Sequence, residues 1–235
     1  MLNQNFTEMN SAEQLKNNSD FRFEKKFIAS INDLMYIENH IQSKGATPLF
    51  QPRWINNIYS DFDDMRSLNE NIDGLSDRVK TRFRWYGDTF GDIQITAEQK
   101  IKSDDVNRKN SIKLGAFHFK EHNKTNQLFT EISDRLLEMD QEGLFWNITQ
   151  QHPTLINKYY RSYFMSIDNQ VRITIDTDLQ YYNCQFETFA QKDHIIIELK
   201  SPSQNLISGD ILPLQLNKSS KYVEGMTDSD PEFIW

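Results

Sequence analysis

Charged and apolar residues alternate in a segment near the middle of the chain. From position 78 onward, four cations occupy every second position: Arg78, Lys80, Arg82 and Arg84. Val79, Thr81 and Phe83 lie between them. Because successive side chains of a strand point to opposite faces, the pattern predicts a β-strand with one cationic face and one largely apolar face.

Four further segments repeat this alternation: FRFEKKF from residue 21, TAEQKIK from residue 96, VRITIDTD from residue 171 and HIIIELK from residue 194. A single strand of this kind is typical of the solvated face of an antiparallel sheet. Five such strands in a chain of net charge -8 are not explained by a solvated face alone. We interpret them as a polar interior face that surrounds a polyanion, with the apolar faces outward under helices and loops.

Turn and capping residues extend this pattern into a fold. They predict hairpins of 78–86 with 93–102, of 158–167 with 170–176, and of 186–190 with 194–200. Apolar residues at helical spacing predict helices over 30–44 and 128–139, and a short helix over 218–225. The fold class is therefore α+β and mainly β, with an antiparallel sheet that closes on itself as a barrel and flanking helices.

The amino-acid composition limits the expected cellular compartment and the classes of partner. With one cysteine, Cys184, the 235 residues hold no internal disulfide, and a reducing cytoplasm is the expected compartment. The sequence has no run of about 18 apolar residues, so we expect no membrane insertion. The acidic net charge disfavours nucleic acid as a partner. We expect residues 1–20 to be a flexible polar leader and residues 21–235 to form one domain.

Three carboxylates share faces with the cations: Glu24, Glu98 and Glu198. Carboxylates would repel phosphate directly, so a divalent metal between carboxylate and phosphate is one explanation. The other explanation is that each glutamate pairs with neighbouring Lys or Arg. Both remain open for Glu24 and Glu98, whereas metal binding is favoured for Glu198.

Several segments, in their order along the chain, resemble a known family. They are FRFEKKF, NNIYSD, RFRWYG, EQK, KYYRSY, VRITID, IIELK and KSSKYVEG. Together, over about residues 21–226, they resemble the polyphosphate polymerase domain of the vacuolar transporter chaperone (VTC) complex. That domain belongs to the triphosphate tunnel metalloenzymes, also called the CYTH-like superfamily.

The resemblance implies an eight-stranded tunnel, a Mn²⁺ or Mg²⁺ ion held by Glu198, and transfer of the γ-phosphoryl group of ATP to a growing polyphosphate. It implies that the phosphate chain contacts Lys26, Arg82, Arg84, Lys100, Lys113, Tyr159, Arg161, Arg172, Lys200, Lys218, Ser220 and Lys221. We assign catalytic roles to five of these residues, which hold the α- to γ-phosphates or stabilise the leaving or acceptor end: Arg82, Arg84, Lys100, Arg172 and Lys221.

Two alternatives differ from polyphosphate synthesis. With water as the acceptor, the same site would be an inorganic triphosphatase or polyphosphatase. A non-catalytic polyphosphate-binding module, serving as an adaptor for a membrane-protein partner, is the second. Retention of Glu198 argues against the second, because a pure anion binder gains nothing from a carboxylate there.

Overall fold

A computed structural model describes residues 23–103, 106–207, 212, 214–217 and 219–231. The predicted leader at residues 1–20 and the predicted phosphate contact Lys218 lie outside the described residues. The prediction of one domain over residues 21–235 stays a prediction.

The described residues form nine strands and five α-helices. The strands are β1 Phe23–Ser30, β2 Thr47–Asp61, β3 Arg78–Tyr86, β4 Gly91–Ser103, β5 Val106–Phe119, β6 His152–Met165, β7 Arg172–Asn183, β8 Thr188–Gln191 and β9 His194–Ser201. The helices are α1 Leu34–Ser43, α2 Arg66–Ile72, α3 Thr125–Glu138, α4 Glu142–Ile148 and α5 Lys221–Ser229. The predicted mainly β, antiparallel fold class is therefore confirmed.

Eight of the strands follow one path in the order β1-β9-β7-β6-β2-β3-β4-β5, and β8 pairs with β7 beside it. β1 and β5 are the two ends of this path, and among the described strand pairs nothing joins them. The predicted closure into an eight-stranded barrel is thus not confirmed. Closure needs backbone hydrogen bonds between strands distant in sequence, which the alternation of side chains within a strand cannot specify.

The predicted hairpin between residues 186–190 and 194–200 is wrong. β8 instead pairs with the preceding strand β7, with Asn183 opposite Thr188 and Gln180 opposite Gln191. The side chain of Asn183 stabilises the connecting turn, because its Oδ1 accepts hydrogen bonds from the backbone N–H groups of Gln185 and Phe186.

The chain divides into two compact units. The smaller unit comprises Met1–Gln51, Ser162–Ile175 and Ile195–Lys218, and its core packs Ile37 and Ile41 of α1 among apolar strand residues. Gly45 follows α1 with φ at 86°, a left-handed conformation that favours glycine and ends the helix.

The larger unit comprises Pro52–Arg161, Asp176–His194 and Ser219–Trp235. Its core joins Phe83 and Trp85 of β3 to Ile132 and Leu136 of α3. The predicted apolar face of β3 is therefore covered by a helix, and the cationic residues of β3 occupy the opposite face. In the described part of the chain, no helix has both the length and the apolar character needed to cross a membrane.

Candidate anion-binding site

Glu98 of β4 lies at the centre of three cations in the larger unit. It stands directly opposite Arg82 in the β3–β4 register. Its Oε2 accepts from Arg82 Nε at 2.7 Å and lies 3.7 Å from Arg84 Nη1, while its Oε1 accepts from Lys109 Nζ at 2.7 Å. In this structure Glu98 is thus an ion-pair partner of three cations, and its predicted part in metal binding stays a prediction.

Burial alone would raise the pKa of Glu98, but the charges of Arg82, Arg84 and Lys109 outweigh it and hold that pKa far below its ordinary value. Burial would likewise lower the pKa of Arg82, yet Glu98 and the nearby hydroxyl of Tyr59 raise it. Glu98 is therefore ionised at all ordinary pH values, and it holds the guanidinium of Arg82 in one orientation.

A second carboxylate, Asp176 of β7, holds two further cations. Arg161 donates two parallel hydrogen bonds to it, from Nε to Oδ1 at 2.5 Å and from Nη2 to Oδ2 at 2.7 Å. Lys221, the first residue of α5, places Nζ 2.6 Å from Oδ2. The Asp176 side chain is fully buried. Burial would raise the pKa of Asp176, but Arg161 and Lys221 reverse this effect and lower it.

Tyr159 of β6 connects the two groups of cations. Its hydroxyl accepts from Arg84 Nη2 at 3.2 Å. Its ring centroid lies 4.7 Å from Lys221 Nζ and 5.2 Å from Arg161 Cζ. Burial would raise the pKa of Tyr159, but Arg84, Arg161 and Lys221 outweigh this effect and lower it. The aromatic ring thus lies within a strongly positive environment.

Buried amides fix Arg84 from its other side. Arg84 Nε donates to Asn57 Oδ1 at 2.8 Å, and Asn57 Nδ2 donates to Asn157 Oδ1 at 2.6 Å. Both asparagines are buried. These bonds leave Arg84 with little rotamer freedom, so its guanidinium is preorganised for a ligand.

Helix α5 is fixed against the sheet of the larger unit. Tyr222 Oη donates to Asp61 Oδ2 at 2.7 Å, and Asp61 also accepts from the backbone N–H groups of Ser67 and Leu68 at the start of α2. A Cβ atom at Gly225 would lie 2.5 Å from Leu155 Cδ2 and from Tyr181 Cδ1, so only glycine permits this approach.

Just before α5, Ser220 Oγ accepts from Lys80 Nζ at 3.1 Å. The contacts of α5 therefore hold Ser220 and Lys221 in defined positions.

These contacts define a cation cluster in which two carboxylates, Glu98 and Asp176, face five cations: Arg82, Arg84, Lys109, Arg161 and Lys221. The side chains of Arg84, Arg161 and Lys221 are only 10–14% exposed. Over these contacts the cations exceed the carboxylates by three, and burial of the three least exposed cations is unfavourable unless an anion joins them. The arrangement is suited to a ligand with several negative charges.

The smaller unit holds a second charged group, formed by β1 and β9. Glu24 and Glu198 each contact both Lys26 and Lys200, at distances from 2.8 Å for Lys200 to Glu198 up to 3.8 Å for Lys26 to Glu198. Within the described residues, no three His, Cys, Asp or Glu side chains come together as a metal site. Two carboxylates nevertheless fit Mg²⁺ or Mn²⁺, since such ions often bind one or two carboxylates together with substrate phosphates.

Of the remaining predicted contacts, two lie in the larger unit and one in the smaller unit. Lys100 and Lys113 are exposed, on β4 and β5 respectively. Arg172 is half-buried and belongs to the smaller unit. The structure thus brings together Arg82, Arg84, Tyr159, Arg161 and Lys221, and separately Lys26, Lys200 and the two glutamates. The roles of all these residues remain predictions.

Sequence reasoning did not assign Lys109, Asp176, Asn57 or Tyr222 to the site. Asp176 carried a usable signal, because it lies two strand positions from Thr174 on the face predicted to be polar. Lys109 could have been found from the β4–β5 register, in which it stands opposite Lys100. Asn57 and Tyr222 had no comparable signal, because their partners are distant in sequence.

The lowered pKa values of Glu98 and Asp176 predict a specific acid sensitivity. A carboxylate whose pKa is lowered by folding stabilises the fold above its unfolded pKa of about 4, and this contribution is lost as pH falls toward its folded pKa. In urea unfolding between about pH 4 and pH 2, Glu98→Gln should therefore reduce the slope of unfolding free energy against pH by about 1.4 kcal/mol per pH unit. Glu121→Gln, which changes an exposed carboxylate, is the control. An unchanged slope in Glu98→Gln would contradict the ion-pair arrangement.

Comparison with known proteins identifies the family. The VTC domain family model matches residues 21–229, so the chain belongs to the VTC domain family. A search of curated proteins finds no significant match.

Among solved structures, the chain is similar to two proposed adenylate cyclases. One, from Vibrio parahaemolyticus, is 9% identical with a TM-score of 0.40, over 87% of this chain and 84% of that one. The other, from Bacillus halodurans, is 14% identical with a TM-score of 0.46, over 78% of this chain and 81% of that one. At such low identities and TM-scores, the activity of this chain must be argued from its own residues.

Proposed function

We propose that this protein binds the phosphate chain of a nucleoside triphosphate or polyphosphate and transfers a phosphoryl group, with polyphosphate synthesis from ATP as its reaction. The observation that carries the proposal is the excess of three positive charges in the cation cluster. A triphosphate supplies the matching negative charge in a compact chain. Membership of the VTC domain family supports the same ligand class.

The arrangement suits phosphoryl transfer, which depends mainly on positioning and on neutralisation of charge. Arg82 and Arg84 present planar guanidinium groups that are already oriented by Glu98 and Asn57. Arginine suits bidentate contacts with non-bridging oxygens, whereas Lys221 acts as a point charge. We assign Arg82 and Arg84 to the phosphates of the donor, and Lys221 to the leaving or acceptor end. Lys26, Lys100, Lys113, Arg172, Lys200 and Ser220 are further phosphate contacts in this proposal, from the resemblance.

Neither carboxylate of the cation cluster is placed as a nucleophile, because Glu98 and Asp176 are both engaged in ion pairs. Direct in-line transfer to the acceptor is therefore the mechanism that we propose, without a phosphorylated enzyme. Glu198, with Glu24, would hold Mn²⁺ or Mg²⁺, which when bound supplies charge neutralisation at the phosphate oxygens.

Product analysis tests the proposal. The purified protein is incubated with Mn²⁺ and either ATP or inorganic triphosphate, and the phosphate products are resolved by chain length. Chains longer than three phosphates are expected. Orthophosphate as the only product would indicate hydrolysis rather than synthesis. If no product forms but triphosphate raises the melting temperature, the protein binds phosphate chains without catalysing transfer.

The matched variant is Glu198→Gln. It should abolish turnover while inorganic triphosphate still raises the melting temperature, because the cation cluster is intact. Glu121→Gln, an exposed carboxylate, should retain turnover. Full turnover by Glu198→Gln would contradict the assignment of this residue to the metal.

A further inference from the structure

We propose that Tyr86 and Arg53 form a platform on which the nucleobase of a nucleoside triphosphate stacks, where β3 ends beyond Arg84. The inference rests on the proposed function, because it assigns the nucleoside part of the donor whose phosphates that site would hold. We call Tyr86 and Arg53 the base platform. Neither residue is among the phosphate contacts predicted from the sequence.

Strand register places the base platform beside the cation cluster. Tyr86 follows Arg84 by two positions in β3, and every second residue of a strand points to the same face. On the neighbouring strand β2, Ile55 stands opposite Tyr86 and Asn57 stands opposite Arg84. Arg53 lies two positions before Ile55, so it belongs to this face as well. The base platform therefore continues the face that carries the cation cluster.

The two side chains of the base platform already contact each other. Arg53 Cζ lies over the Tyr86 ring, 4.0 Å from its centroid. Nucleobases stack both on aromatic side chains and on the guanidinium planes of arginine. Tyr86 is 44% exposed, whereas Arg84 on the same face is buried. The face thus opens to solvent at Tyr86, where a base can add to the contact between ring and guanidinium.

The backbone next to Tyr86 is held in one conformation. Asn56 Nδ2 donates to the carbonyl oxygen of Gly87 at 3.0 Å, and Trp85 Nε1 donates to that of Asp88 at 3.0 Å. A Cβ atom at Gly87 would have no neighbour within 4 Å, so the space beside Tyr86 is open. The ring is therefore fixed by its strand and turn before a ligand arrives, which reduces the entropic cost of binding.

The spacing suits a nucleoside triphosphate. Two strand positions, about 7 Å, separate Tyr86 from Arg84. A ribose joins a base to its α-phosphate over a comparable span, so Arg84 would lie nearer the α-phosphate and Arg82 nearer the γ-phosphate. At the opposite end of this face, Arg78 stands opposite Lys102, and neither is aromatic. The aromatic end therefore identifies where the nucleoside lies.

The first test changes the ligand and needs no substitution. Isothermal titration calorimetry without divalent metal compares ATP with methyl triphosphate, which has the same charged groups and no nucleoside. Wild type should bind ATP about ten-fold more tightly, because stacking on an aromatic ring adds to the phosphate contacts. GTP should bind as ATP does, since every base offers a π-face.

The second test removes the ring. Tyr86→Ala should lose the ten-fold preference for ATP and keep the affinity for methyl triphosphate. Tyr86→Phe retains the ring and should bind both ligands as wild type does. Arg53→Lys keeps the charge without the planar guanidinium, so it should lose part of the preference. Tyr36→Ala, which removes an exposed tyrosine of α1, is the matched control and should change neither affinity.

Each contrary result has a distinct meaning. Equal affinity of wild type for ATP and methyl triphosphate would overturn the base platform, as would an undiminished preference in Tyr86→Ala. If Tyr86→Ala weakened both ligands equally, Tyr86 would serve the phosphate chain or the fold, and the base platform would again be wrong. All three results leave the proposed function standing. Failure of wild type to bind inorganic triphosphate would instead overturn the proposed function.

Discussion

Replacing Asp176 with alanine is expected to lower the free energy of unfolding by about 3–5 kcal/mol. Asp176 is fully buried and forms ion pairs with both Arg161 and Lys221. Without it, Arg161 and Lys221 lose the buried carboxylate that they share, and the excess of positive charge in the cation cluster rises from three to four. Urea unfolding at neutral pH measures the change.

Two variants make this prediction specific. Asp64→Ala removes a carboxylate from an exposed pair with Arg66 and should cost no more than about 1 kcal/mol. Asp176→Asn keeps the shape and one acceptor oxygen but loses the charge, so it should fall between wild type and Asp176→Ala. A cost for Asp176→Ala as small as that for Asp64→Ala would contradict the described ion pairs.

The cation cluster therefore combines groups that stabilise the unliganded fold with groups that destabilise it and serve ligand binding. Its carboxylates stabilise the fold, whereas its surplus cations stabilise it only when an anion is bound. Proteins commonly carry such locally unfavourable arrangements at functional sites, where ligand binding removes the cost. Arg84 is the clearest case, because Asn57, Tyr159 and Glu98 all contact it although it adds to the surplus charge.

The sequence predicted the β3–β4 hairpin well, because charged residues recur at every second position in both strands and a loop containing Gly87 and Gly91 separates them. The β-strand of Arg78–Tyr86 has the bounds expected. Its register then follows from the turn, and Arg82 stands opposite Glu98. Local pattern suffices where partners are neighbours in sequence.

Distant partners could not be predicted in this way. Lys221 contacts Asp176 from a helix 45 positions further along the chain, and Tyr222 contacts Asp61 across an even longer separation. The pairing of β8 with β7 depended on the turn formed by Asn183, which a search for alternation does not consider. Lys109, the third cation beside Glu98, lies on the next strand, so the alternation within β4 could not predict that contact.

Replacing Arg84 with alanine should weaken binding of inorganic triphosphate by about thirty-fold or more, equivalent to a loss of about 2 kcal/mol. Its guanidinium is 10% exposed and held by Asn57, so its charge-assisted bonds to phosphate would form in a poorly hydrated place without reorganisation. The measurement is calorimetric titration with triphosphate, first without metal and then with Mn²⁺.

The electrostatic contribution of Arg84→Ala to stability is expected to have the opposite sign to that of Asp176→Ala. Removal of Arg84 reduces the surplus charge from three to two, which offsets the loss of its bonds to Asn57 and Tyr159. The unliganded variant should therefore lose less unfolding free energy than Asp176→Ala. Arg66→Ala, which removes an exposed arginine, should change neither affinity nor stability appreciably. Normal triphosphate affinity in Arg84→Ala would contradict the assignment of the cation cluster as the phosphate site.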